Sequence, residues 1–214
     1  TKEIKLIVCL PLQCNMSKID TNIIFASPIT STVLNDQKLN KSLLTYIKKE
    51  RRKPGRVLSN EGGYQSKSVN LNHPTIKKFI KAITPSVQQH IDVYKFNTAR
   101  TFKVIDLWFN INGKNDFNYD HCHMGGGCDF SAAYYITVPN NSGNIVFKNP
   151  EIGAHSNDMC GLAFKEWNPF NQAHYFFIPK ETQLLVFSSA LEHRVKPNLS
   201  NKERISISFN CKVI

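Results

Sequence analysis

The sequence predicts a mainly β protein of the α+β class: a barrel or jelly-roll sandwich of short strands, with helices from the first half packed on one sheet. Three observations lead there. From Phe102 onward, apolar and polar residues alternate in short runs separated by turn residues, which is the period of half-buried strands. Before that point, two segments space their apolar residues by three and four, the period of amphipathic helices. The 214 residues are 41% hydrophobic, an ordinary globular composition and long enough for one sizeable core. No internal repeat, low-complexity tract or linker interrupts the chain. It reads as a single domain over 1–214, with a helix-rich supporting part to about residue 100 and a β core from about 101.

Taken in order, the apolar stretch Ile4 to Leu12 lacks a leading cationic region and a cleavage site. It therefore reads as a strand, not a signal peptide. Asp36 to Arg52 carries Leu39, Leu43, Leu44 and Ile47 and predicts a helix, closed by Pro54-Gly55. His73 to about Ala99 repeats the pattern, with Pro74 in a first turn and Ile76, Phe79, Ile80 and Ile83 following. Pro85 is expected to start a further helix. Phe102 to Asn112 alternates as a strand. SAAYYITV, from Ser131 to Val138, is a second one. Asn140-Asn141-Ser142-Gly143 reads as a turn and Asn144 to Phe147 as the return strand of a hairpin. The segment 151–172 is expected to be an active-site loop or lid. Ala173 to Ile178, Gln183 to Phe187 and Ile205 to Val213 complete the strands. The last sets Ile205, Ile207 and Phe209 against Ser206, Ser208 and Asn210. Gly62-Gly63-Tyr64-Gln65 reads as a further rim loop, without the Gly-Lys-Ser/Thr of a phosphate loop.

No apolar run approaches the length of a membrane-crossing helix. The six cysteines, at 9, 14, 122, 128, 160 and 211, include no CxxC pair. Reduced thiols in a cytoplasm are the expectation, and a zinc ribbon has no support. The formal net charge is +11, which favours acidic partners or nucleic acid. Part of it is the run Lys48-Lys49-Glu50-Arg51-Arg52-Lys53, with Lys77, Lys78 and Lys81 nearby. This reads first as a solvated helix end and second as a phosphate-contacting patch.

The chemistry concentrates in His121-Cys122-His123, His193 and Arg204-Ile205-Ser206. Side chains on an extended segment repeat every second residue, so His121 and His123 project to one side. With His193 from a later strand they can take one face of a metal ion and leave the other open. The Gly125-Gly126-Gly127 run after them forms a tight loop at the barrel mouth. Either all three ligands are histidines, which is the preferred reading, or a carboxylate from Asp129 or Asp120 replaces one. Arg204 offers a fork that matches a carboxylate, and Ser206, two residues on, shares its face. Such a pair suits an anionic co-substrate. His155 and His174 are spare histidines, read as structural.

These residues carry a resemblance. HCH, SAAYYITVPNNSGNIVFKNP, FSSALEHRV and ERISISFN resemble the 2-oxoglutarate and Fe(II)-dependent oxygenases, and most of all a group common in bacteria and in phages of marine cyanobacteria. FASPIT at Phe25 to Thr30 and SNEGGYQS at Ser59 to Ser66 look like further signatures of that group. The resemblance spans roughly residues 22–212. It implies a double-stranded β-helix (cupin-like jelly roll), Fe(II) on His121, His123 and His193, and 2-oxoglutarate anchored by Arg204 with Ser206. Tyr134, Tyr135, Asn110 and Asn210 would line the barrel, with Asn110 and Tyr135 as polar contacts to co-substrate or substrate. The implied reaction uses O2 to decarboxylate 2-oxoglutarate to succinate while oxidising a second substrate, most simply by hydroxylation. Two departures stand out: His123 where the wider superfamily carries Asp or Glu, and Thr182 where a turn glycine is expected.

Two rivals remain at this point. One is another three-histidine cupin-type dioxygenase that uses no keto acid, against which Arg204 and Ser206 argue. The other is a non-catalytic jelly-roll module that binds an acidic ligand or nucleic acid, supported by charge alone. The substrate can be a protein, a nucleic acid or a small acid. No membrane partner is expected, a homodimer is the default assembly, and the expected location is cytoplasmic, in the host if a phage encodes the chain.

Overall fold

The computed structural model describes residues 26–151, 164–166, 168 and 171–214. The predicted strand Ile4 to Leu12, Phe25, His155, three of the cysteines and most of the expected 151–172 loop lie outside the described residues.

The described residues of the first half fold around two helices. α1, Gln37–Glu50, is capped by Asp36, whose carboxylate accepts from the Leu39 amide at 2.9 Å. Its buried stripe is Leu39, Leu43, Tyr46 and Ile47. α2, Pro74–Asp92, has Pro74 at the start and His73 as its cap. Here one expectation fails, because Pro85 starts no new helix and sits inside α2. The reason is the stripe Ile76, Phe79, Ile83, Val87 and Ile91, all buried, which continues in register through it. Pro85 itself is exposed, so water can reach the carbonyl it leaves unpaired.

Among the described residues, eleven strands build two antiparallel sheets. In chain order they are β1 (Ile29–Val33), β2 (Asn60–Glu61), β3 (Tyr64–Gln65), β4 (Phe102–Asn112), β5 (Phe117–His121), β6 (Phe130–Thr137), β7 (Ile145–Lys148), β8 (His174–Phe177), β9 (Gln183–Ser188), β10 (His193–Val195) and β11 (Arg204–Val213). The larger sheet runs β1-β9-β6-β11-β4-β3 and the smaller β2-β5-β10-β7-β8. This is the double-stranded β-helix. The first half therefore does more than support the barrel, since β1, β2 and β3 extend both sheets.

The expected hairpin of Ser131 to Phe147 does not form. β6 pairs with β11 and β9, while β7 pairs with β10 and β8. The turn therefore carries the chain from one sheet to the other. β6 is buried on both faces, and a central strand with both edges taken has no room for a hairpin partner. Asn141 and Gly143 supply the positive φ values, 61° and 83°, that the crossing needs. Thr182, where glycine was expected, also adopts positive φ, at 61°. It is held there by its amide bonding the Tyr135 carbonyl at 2.9 Å and its carbonyl accepting from Leu34 at 3.0 Å.

The larger sheet has two different faces. Outward, Leu107, Phe109, Ile111, Tyr134, Ile207 and Phe209 pack under the helices. Inward, Tyr135, Leu185 and Phe187 meet Ile145 and Phe147 of the smaller sheet. A bulge at Ile105 resets the parity of β4, since Cys211 faces Val104 while Asn210 faces Asp106. Val104 and Leu107 thus share the helix side and Ile105 is pushed into solvent. The Gly62-Gly63 turn links β2 to β3 at the end of β4 near Asn112, against the Asp116 carboxylate. No helix among the described residues is long and apolar enough to cross a membrane.

Candidate active site

The smaller sheet delivers two of the three histidines. His121 ends β5 and stands directly opposite His193, the first residue of β10. Cross-strand neighbours are the closest pair a sheet can make, and their ring centroids lie 4.4 Å apart. His123 follows, tied by its amide to the Ser189 carbonyl at 2.8 Å. Its ring stands 5.3 Å from each of the other two. One nitrogen from each of His121, His123 and His193 lies within 4.8 Å of the others, a group able to hold a metal ion.

Hydrogen bonds decide which nitrogen each ring presents. His121 Nδ1 donates to the Tyr119 carbonyl at 2.7 Å and His193 Nδ1 to the Leu191 carbonyl at 2.9 Å. His123 Nδ1 donates to Asn210 Oδ1 at 2.7 Å, and Ser131 Oγ binds the same oxygen at 2.8 Å. A carbonyl oxygen only accepts, so every Nδ1 carries the proton and every Nε2 keeps its lone pair free for a metal. Burial holds the rings neutral. It pushes the His193 imidazolium down to about 3 and lowers His121 and His123 as well. Near neutral pH the three nitrogens need shed no proton to coordinate.

The alternative carboxylates point elsewhere. Asp120 pairs with Arg194 at 3.1 Å, and Asp129 binds Lys212 at 3.1 Å and the Val213 amide at 2.8 Å. His174 lies exposed on edge strand β8, away from the group. Cys122, Cys128 and Cys211 are free thiols.

β11 supplies the other wall. Its inward face carries Arg204, Ser206, Ser208 and Asn210 in succession, two residues apart. Arg204, Ser206 and Ser208 line one cavity with the three histidines, Asn110, Asn118, Tyr135, Ser59 and Trp108. Asn110 Nδ2 donates to Ser208 Oγ at 3.2 Å, while its Oδ1 is buried without a partner. Arg204 is only 1% exposed. Its Nη1 is clamped by the Ser142 carbonyl at 2.6 Å, with those of Gly143 and Lys196 at 3.3 and 3.4 Å. Its Nη2 is buried and has no partner among the described residues. Among the described residues no carboxylate pairs with this guanidinium. Tyr135 stands near it, a phenol whose ionisation burial pushes up to about 12, so its hydroxyl keeps its proton.

Tyr134 departs from expectation. It faces the helices, its ring 5.0 Å from that of Phe79, because neighbours on a strand point to opposite faces and Tyr135 takes the inner one. Asn210, expected to line the barrel, does so and orients His123, a role the sequence did not reveal; two further contributors carry no such expectation. Ser59, held by Asn118 at 3.2 Å, lies 3.5 Å from His121 Nε2. Trp108 sits 5.7 Å from the His123 ring, with Arg56 over its indole. The alternation of β4 carried a signal for Trp108, and Ser59 opens the SNEGGYQS signature.

Fold and cavity together define a class: a jelly-roll protein with a three-imidazole group able to hold one metal ion and a buried cationic group in the same cavity. Residues 106–210 match the family described as "Putative 2OG-Fe(II) oxygenase". Over those residues the chain is similar to the 2OG-Fe(II) oxygenases, oxidoreductases that use Fe(II), 2-oxoglutarate and O2. Solved structures share its fold. A prolyl-4-hydroxylase of Pseudomonas putida aligns with TM-score 0.59 and 14% identity, covering 86% of this chain and 92% of its own. The viral collagen prolyl hydroxylase of Paramecium Bursaria Chlorella virus-1, in a complex with 2-oxoglutarate, aligns with TM-score 0.54 and 13% identity, covering 86% and 94%. HygX from Streptomyces hygroscopicus, with nickel, 2-oxoglutarate and hygromycin B bound, aligns with TM-score 0.60 and 8% identity, covering 87% and 83%. No curated protein matches the sequence.

Proposed function

We propose that the protein is a hydroxylase that holds Fe(II) on His121, His123 and His193 and the distal carboxylate of 2-oxoglutarate on Arg204. The observation that carries this reading is the unpartnered Nη2 of a guanidinium that is 1% exposed, in the cavity lined by the three imidazoles. A buried charge left without a counter-charge is costly, and a carboxylate answers it with charge-assisted hydrogen bonds. Three convergent Nε2 lone pairs suit a borderline divalent transition metal. When bound, Fe(II) and 2-oxoglutarate supply the activation of O2 and the oxidative decarboxylation.

The remaining work falls to the chain. Nη1, fixed by three backbone carbonyls, aims the guanidinium so that Nη2 is presented at little entropic cost. Ser206 adds a hydroxyl on the same face, and Tyr135 and Asn110 offer an O–H and an unpaired amide oxygen beside it. Phe187, Ile145 and Ala133 wall the cavity with apolar surface, which excludes water and strengthens the electrostatics within. Hydroxylation is preferred as the simplest oxidation of a second substrate, and prolyl hydroxylases are among the proteins that share the fold. We place the enzyme in a cytoplasm, consistent with the free thiols at Cys122, Cys128 and Cys211.

Anaerobic addition of Fe(II) and 2-oxoglutarate tests the reading through the visible metal-to-ligand charge-transfer band. The band is expected in the wild type, is lost in His193→Ala, and needs far more 2-oxoglutarate in Arg204→Ala. Wild-type protein that binds Fe(II) and shows no band would overturn the keto-acid assignment.

A further inference from the structure

Most of the net charge of the protein comes from one stretch of sequence. Residues 37–92 hold 12 Lys and Arg against 3 Asp and Glu, so 12 − 3 = +9 of the +11 for the whole chain. This stretch comprises α1, α2, β2 and β3. The two helices cover the outer face of the larger sheet. Tyr46 and His73, with ring centroids 4.5 Å apart, bring the end of α1 against the start of α2. Lys48, Lys49 and Arg52 from α1 and its exit thereby join Lys77, Lys78 and Lys81 of α2. All six are exposed and make no ion pair among the described residues. Beside them, Arg51 and Lys53 are paired, with Glu203 and Glu50.

The arrangement works against the helices that carry it. Lys77 and Lys81 of α2 are like charges four residues apart, which repel on a helix surface. Lys77 and Lys78 lie near the α2 N-terminus, where the helix dipole disfavours cations, and neither helix has an acidic residue in its first turn. A bound polyanion removes both costs.

We propose that this helical layer docks the phosphate backbone of double-stranded nucleic acid. The 19 residues of α2 form a rigid rod of about 28 Å, along which cations can meet successive phosphates. None of the exposed large hydrophobic residues belongs to α1 or α2. Exposed Val57 and Leu58 lie on the chain between the helices, and exposed Tyr94 and Phe96 follow the far end of α2; the helix surfaces themselves lack the aromatic platforms that stack single strands, the apolar wedge that enters a lipid headgroup layer and the aromatic anchors of a protein interface. Phosphate contacts of this kind bind without reading sequence. The candidate active site lies on the opposite face of the same sheet, so the surface holds the protein to its partner and leaves the cavity free.

The test is fluorescence anisotropy of a labelled DNA duplex of about 20 base pairs with the full chain, at salt from about 50 to 200 mM. Binding is expected to weaken at least tenfold over that range. The triple variant K77E/K78E/K81E is expected to lose at least tenfold at the lowest salt. The charge-matched variant K114E/K165E/K180E, altered away from the patch, is expected to stay within about threefold of wild type. All six substituted lysines are exposed, and unchanged thermal unfolding of both variants checks that the fold is intact. No duplex binding at low salt overturns the proposal, as does equal loss in the two variants. Equal or tighter binding to polyglutamate or to phosphatidylserine vesicles also overturns it, assigning the surface to an acidic protein or a membrane. Neither variant touches the cavity, so the charge-transfer band reports separately on the 2-oxoglutarate reading.

Discussion

His90 makes the stability of this protein depend on pH by an amount that can be worked from its surroundings. The ring is fully buried on α2, against Phe130 at 4.9 Å. Nδ1 meets Thr30 Oγ1 at 2.9 Å, and Nε2 has no partner. The neutral ring can donate from Nδ1 to Thr30 and leave Nε2 a bare lone pair, whereas the charged ring must bury an Nε2–H without an acceptor, and burial pushes its pKa down to about 4. In the unfolded chain the value returns to about 6.5. The folded state thus binds fewer protons than the unfolded one between those values, so stability is complete above about 6.5 and falls as pH drops through about 4. Between pH 7.5 and 5 the loss is about 2 kcal/mol, approaching about 3.4 kcal/mol at lower pH. His90→Phe keeps an aromatic ring among Phe130 and Tyr94 and cannot titrate. Urea unfolding of metal-free wild type and variant at both pH values gives the difference, in which the other histidines cancel. Wild type is expected to lose about 2 kcal/mol more than the variant. Equal losses would refute the claim that His90 is held neutral by burial.

Asn210→Leu removes the acceptor that orients His123, and Fe(II) or Co(II) affinity is expected to fall about 10–100-fold by metal titration, with Asn210→Asp retaining most of it. Gly143→Ala drives a methyl into the Lys196 and Pro197 carbonyls at a positive φ of 83°; thermal unfolding should show at least about 2 kcal/mol lost, and calorimetry a weaker 2-oxoglutarate affinity. Phe79→Ala empties a fully buried site between Tyr134 and Phe209 and is expected to cost about 3–5 kcal/mol in urea, with metal affinity of the folded protein unchanged.

Local chemistry made much of this structure legible before any coordinates. α1 and α2 announced themselves by stripe spacing and by Asp36 and Pro74, features complete within a few residues. The histidines and Arg204 with Ser206 were readable because strand parity fixes which residues share a side. The missed features share a cause, since each depends on which strand lies next to which. The bulge at Ile105 shifts parity in a way no run of β4 residues records. Pro85 stays in a helix because distant sheet residues reward an unbroken stripe. Asn210 was placed inside the barrel by alternation, but its bond to His123 needed β6 and β11 to be adjacent, setting Ser131 opposite it. The inside-outside choice between Tyr134 and Tyr135 was open to parity alone and went unused.

The misread hairpin is also where fold and chemistry meet. Because β6 and β7 belong to different sheets, the chain between them must cross the end of the barrel, and it does so at Asn141-Ser142-Gly143. The crossing turns the Ser142 and Gly143 carbonyls onto Arg204 Nη1, while the Lys196 carbonyl arrives from beyond β10 in the smaller sheet. Arg204 itself begins β11 in the larger sheet. One side chain thus joins both sheets and the link between them, and it gives to that joint only one of its two terminal nitrogens. Had the three carbonyls been shared between Nη1 and Nη2, the guanidinium would be a structural fastener with nothing left for a ligand. Gathering them on Nη1 lets the same residue close the barrel end and keep a buried donor free to face an anion. A substitution there should therefore show in unfolding and in 2-oxoglutarate binding together, whereas Ser206→Ala, outside the joint, should weaken 2-oxoglutarate binding and leave the unfolding midpoint in place.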